Sequence, residues 1–159
     1  MFVMKKQTLL LKLALIVISL LMILAAVIVV PTILKNTHTD LGGLVWPFGI
    51  GFYAMIALVL LAVYQSWQLL TLIDQRNVFT APSVAALTWI KRAAYSVTII
   101  FAALLPIFYV WVQAEDAPGL LLLALILTGI AFVIGLFANI LAQLLASAIQ
   151  IKTENELTI

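Results

Sequence analysis

Cysteine is absent from this chain of 159 residues, which excludes disulfides, thiolate metal sites and a cysteine nucleophile. Charge is scarce as well, at 9% of residues, and there is a single histidine. Residues 13–34, 44–73, 93–113 and 119–151 contain no Asp, Glu, His, Lys or Arg. Ionisable groups inside a membrane are costly and usually functional. Proton-coupled transporters and intramembrane proteases normally need at least one, so both classes lose most of their weight. His38, beside Asp40, has too few neighbours of ligand type for a closed metal site and reads as a solvated turn residue. No catalytic residue, metal or cofactor is expected.

What fills the chain instead is apolar: 66% hydrophobic residues and a mean hydropathy of +1.28, far beyond a soluble domain. Apolar runs of this length must be helical in lipid, because each backbone N–H and C=O has to be satisfied within its own segment. The expected fold is an all-α polytopic membrane protein, a single domain with four transmembrane helices in a bundle and a short interfacial helix in the central connector. Leu13 to Val30 shows none of the alternation of a transmembrane β-strand.

Lys5, Lys6 and Lys12 precede an apolar run too long for a signal peptide's core and without a small-x-small cleavage pattern, so an uncleaved first span is expected over 13–34. Lys35 to Asp40 reads as a short polar turn, and a second span is expected over 44–73. Trp46, Phe48, Phe52 and Tyr53 suggest an aromatic belt on one side, Tyr64 and Trp67 on the other. In the connector, Thr80 suits an N-cap with Pro82 in the first helical turn. Val84, Leu87, Ile90 and Ala94 recur at threes and fours, which predicts a surface helix over 82–92 with Trp89 at headgroup depth and Lys91 and Arg92 toward anionic lipid. A third span follows over 93–112, interrupted by Pro106 and closed by an outer aromatic belt of Tyr109 and Trp111. The fourth covers 119–151, and 152–159 is expected to be a polar, frayed tail.

Lys and Arg counts set orientation. Lys5, Lys6, Lys12, Arg76, Lys91, Arg92 and Lys152 fall on one side of this threading and only Lys35 on the other, predicting both termini and the connector in the cytoplasm. The net charge of +2 is thereby explained by topology and is no evidence for direct nucleic-acid binding.

Two features bear on function. Asn139 and Gln143 lie four residues apart on the last span, at the estimated depth of Gln65 and Gln68 on the second; the four form a candidate polar seam for helix packing, or, in the functional reading, a polar path. The second and fourth spans also continue with Leu, Ile and Ala past the estimated membrane boundary. Such apolar surface must be covered by the connector helix, a second copy of the chain or a cytoplasmic partner. The ending Glu154 to Ile159 offers an apolar Leu157 and Ile159 to a groove or a strand edge.

The stretch Asn77 to Thr80, the segment Ile90 to Tyr95, four membrane helices and the ending Glu154 to Ile159 together resemble the small bacterial membrane proteins of domain-of-unknown-function family 2975. Members typically carry a more charged connector helix than Ser83 to Thr88. Their genes commonly neighbour one for a small Cro-like helix-turn-helix regulator. The resemblance implies a non-enzymatic bacterial cell-membrane protein whose cytoplasmic face holds a DNA-binding regulator. Phe79, Lys91, Arg92, Leu157 and Ile159 are the expected contact residues. The alternative is a small transporter or pore subunit, assembled as a homo-oligomer, using Asn139, Gln143 and the Pro106 kink.

Overall fold

The computed structural model describes the backbone of residues 2–76, 79–114 and 116–158, and their side chains except 2–5, 36–41, 44 and 158. Each described element is helical: α1 (Phe2–Leu24), a π turn (Ala25–Val29), α2 (Val30–Leu41), a 3-10 turn (Gly42–Leu44), α3 (Val45–Asp74), α4 (Ala81–Ala114) and α5 (Gly119–Thr158). Four stretches are long and apolar enough to cross a membrane: Lys6–Lys35, Val45–Asp74, Ala81–Ala114 and Gly119–Leu157. The fold is therefore all-α and polytopic.

Several boundaries differ from the expected ones. The polar segment 35–40 remains helical, and the chain turns only at Gly42, whose φ of 56° is the left-handed conformation that glycine adopts without strain. The separate surface helix expected over 82–92 is instead the start of α4, which runs unbroken to Ala114 and passes through Pro106. From Ser83 to Leu105 there is no Gly or Pro, so nothing in the backbone separates the two segments. Ser83, Ala86, Leu87, Ala93 and Ala94 are buried across the junction. The tail does not fray either, since α5 continues to Thr158 through Lys and Glu residues that favour helix.

The ends of α3 and α4 use left-handed residues other than glycine. Asp116 (φ 54°) ends α4, with Asp116 N–H donating to Gln113 O at 3.3 Å and Ala117 N–H to Val112 O at 3.1 Å, the paired bonds of a Schellman cap. Arg76 (φ 59°) ends α3, its N–H donating to Ile73 O at 3.1 Å. Thr80 then stands immediately before α4, as its capping chemistry predicts, with Pro82 in the first turn.

The spans pack mainly in chain order. The α4–α5 interface is the most extensive, followed by α3–α4 and then α1–α3, while α2 touches both α3 and α4. Among the described residues, no comparable interface joins the first span to α5. The bundle is thus open on one side. An apolar cavity of about 330 Å³ lies within it, lined by α1 and α2 (Met22, Ile33), α3 (Phe52, Met55), α4 (Val97, Phe101) and Leu127 of α5.

The tightest packing lies toward the two hairpin turns. Phe48 is only 1% exposed and meets Phe52 edge-on at 4.7 Å, Phe108 at 6.3 Å and Trp111 at 6.2 Å. Phe48 and Trp111, expected in interfacial belts, therefore face inward, whereas Trp46 is exposed. Sequence position does not tell which way these rings point.

A connector-end groove as the candidate functional site

Α3 ends at Asp74, and the connector returns the chain within six residues to α4, whose first turns lie between the ends of α3 and α5. Leu70 of α3, Ala86 and Leu87 of α4 and Ala142 of α5 are buried there. The apolar ends of α3 and α5 are thus partly covered by the chain itself, by the beginning of α4. What stays open is a groove of about 390 Å³, with Leu69 and Ile73 on one wall and Leu141, Leu144, Leu145 and Ala148 on the other. Leu87 and Phe79 complete it. Phe79 and Leu144 remain 50% and 62% exposed, so the groove presents a substantial unburied apolar surface.

The expected contact residues are only partly brought together. Phe79 lines the groove. Lys91 is half-buried one helical turn beyond Leu87, and Arg92 is exposed with its guanidinium 5.4 Å from the Trp89 ring, within cation–π range. Leu157 is 80% exposed in the last turn of α5, nine residues beyond Ala148 and hence roughly 14 Å farther along that helix. Ile159 and Asn77 lie outside the described residues.

The four polar residues of the candidate seam are not joined by any hydrogen bond among the described residues. Gln68 instead donates to Tyr64 Oη on its own helix at 2.7 Å. Gln65 and Asn139 are half-buried, and Gln143 is exposed. α4 lies between α3 and α5 through most of the bundle, which keeps the two pairs apart.

A polar cluster that sequence reasoning missed stands beside the groove. Thr8 of α1, buried at 4% exposure, donates to Asp74 Oδ1 at 2.5 Å. Lys12 Nζ pairs with Asp74 Oδ2 at 3.2 Å and lies 5.1 Å from the Trp67 ring. Asp74 therefore clasps the start of the first span to the end of the second. The available signal was the lone carboxylate closing a thirty-residue apolar run at the depth of Lys12. Among the described residues, no group of three His, Asp or Glu could hold a metal ion.

The comparisons with known proteins agree with this architecture and extend over nearly the whole chain. The uncharacterized membrane protein YoaS of Bacillus subtilis (strain 168) is 32% identical over 158 residues, which span 98% of this chain and 99% of that protein. No solved structure matches the chain. Four spans and a relative described as a membrane protein make this a multi-pass membrane protein. Residues 31–159 match the family described as protein of unknown function (DUF2975), and the chain belongs to that family.

Proposed function

We propose that the connector end faces the cytoplasm and binds a protein partner, holding a small helix-turn-helix transcription regulator at the membrane. The observation that carries this reading is the groove between the ends of α3 and α5, which the chain's own connector covers only in part. An amphipathic helix is the complementary shape: it would lay an apolar stripe on Leu141, Leu144 and Phe79 and leave its polar face to water. Lys91 and Arg92 on α4 would supply the charged rim. Release would follow when one arrangement of the bundle binds the partner better than another, since a ligand shifts an equilibrium only through differential affinity.

The test is recovery of partners from native cells in mild detergent, with the tag at the N-terminus. A stoichiometric helix-turn-helix protein is expected with the intact chain. Phe79→Asp and deletion of the last eight residues should each reduce its capture without loss of membrane insertion. Unchanged capture in both variants overturns the assignment. The alternative, a transporter or pore subunit, draws less support, because the cavity among the spans is lined by apolar side chains. A flux in reconstituted vesicles abolished by Gln143→Leu would favour it.

A further inference from the structure

A second groove lies at the opposite end of the molecule, on the outer face of the first hairpin, and its chemistry differs from that of the connector end. Leu34 and Lys35 of α2 face Trp46, Gly49, Ile50 and Tyr53 of α3 across about 540 Å³. Its long axis follows α3 from Trp46 to Tyr53, roughly 10 Å along the helix. Polarity changes along that axis. Lys35 and the exposed Trp46 stand at the hairpin end, where headgroups lie; Leu34 and Ile50 continue into the apolar span.

The inner end is closed to polar competition. Tyr53 Oη donates to the backbone O of Ala26 at 3.1 Å, so its hydroxyl is engaged within the protein and its ring presents apolar surface. Gly49 shapes the floor, because a Cβ there would stand 2.9 Å from Leu34 Cδ1 and push that side chain outward. Lys35 itself is unexplained by topology. It is the one Lys or Arg between residues 13 and 75, on the side where the orientation rule disfavours basic residues.

We propose that this groove binds an anionic phospholipid, with the phosphate on Lys35 against the Trp46 ring and one acyl chain along Leu34 and Ile50. Charge complementarity selects the headgroup, and the concave apolar wall holds more of a chain's surface than a convex helix face does. The site is independent of the partner groove, which lies at the other end of the spans.

Trp46 supplies the reporter. Protein carrying Trp67→Phe, Trp89→Phe and Trp111→Phe retains it as the sole indole. This protein is reconstituted in phosphatidylcholine vesicles containing a fixed fraction of acyl-brominated phosphatidylglycerol or acyl-brominated phosphatidylcholine, and quenching of Trp46 fluorescence is compared. The expected result is a preference of about fivefold for brominated phosphatidylglycerol, the size of one lysine's attraction near an anionic surface. Lys35→Gln should bring phosphatidylglycerol quenching down to the phosphatidylcholine level while leaving the latter unchanged, and Lys35→Arg should retain the preference. Equal quenching by the two lipids in protein with Lys35, or an undiminished preference in Lys35→Gln, overturns the proposal. Addition of glycerol phosphate in solution should not relieve the quenching; relief would mean that the headgroup alone is recognised and would overturn the lipid assignment.

Discussion

At the scale of single residues, one hydrogen bond explains how the first span tolerates a proline. Val30 N–H donates to Ala25 O, the π register, so the next donor in that register would come from residue 31 and aim at Ala26. Pro31 has no N–H to give. The Tyr53 hydroxyl supplies the missing donor from the neighbouring helix. Tyr53→Phe should therefore destabilise the protein by about 1 kcal/mol, and should be close to neutral when combined with Pro31→Ala, which restores a backbone donor. A double-mutant cycle of unfolding in mixed micelles measures that coupling. Additive effects would show that the two residues act separately. The Asp74 clasp has a similar logic. Asp74→Ala removes the acceptor of the buried Thr8 hydroxyl as well as the partner of Lys12, and should cost about 1–3 kcal/mol. Lys12→Met should cost less, because the Lys12–Asp74 pair is partly exposed, at 18% and 25%. The same unfolding measurement ranks the two variants.

At the scale of helices, close approach is decided by individual small residues. Gly135 of α5 lies against Tyr95 of α4, and a Cβ there would fall 2.6 Å from the ring. An aromatic ring cannot fold back as a terminal methyl can, so Gly135→Ala should cost about 1–3 kcal/mol by overpacking the largest interface in the molecule. Gly129, six residues earlier on the same helix, has nothing within 4 Å of its Cβ position. Gly129→Ala should leave stability unchanged or slightly raised, so the pair of variants separates packing from helix propensity. The same scale accounts for where sequence reading placed boundaries wrongly. Polarity suggested breaks at residues 35–40, 82–92 and 152–159, yet hydrogen bonding within a helix is indifferent to whether its side chains face lipid or water. Only residues that disturb the backbone end these helices: Gly42, and the left-handed turns at Arg76 and Asp116.

At the scale of the molecule, topology and function are linked through orientation. The groove proposed for a protein partner and the Asp74 clasp occupy the connector end, the groove proposed for a phospholipid the hairpin end. Because the natural chain has no cysteine, single substitutions report on sidedness without background. A membrane-impermeant maleimide should label Asp116→Cys in intact cells and Phe79→Cys only after permeabilisation. The reverse pattern would place the connector outside and remove the basis for a cytoplasmic regulator. The open side of the bundle also marks where its arrangement is least constrained: the first span is held by α3 along its length and by the Asp74 clasp, with little contact on α5.

The all-α class, the number of candidate spans and the start of α4 just after Thr80 were legible in the amino-acid sequence alone. The reason is that hydrocarbon leaves a backbone no partner but itself, so a long apolar run without charge has only one solution. Of the candidate site, the continuation of the second and fourth spans with apolar residues could be read, since it follows from the length of the apolar runs; that Phe79 joins them in one groove follows from the packing. Which faces meet was decided only by the tertiary structure. Leu, Ile, Val and Phe are equally suited to lipid and to a helix interface, so periodicity carries little direction here; shape and small residues decide instead. Hence the inward turn of Phe48, the donor that Tyr53 lends to Ala26, the clasp of Thr8 and Lys12 on Asp74, and the place of α4 between α3 and α5 could appear only once the helices were packed.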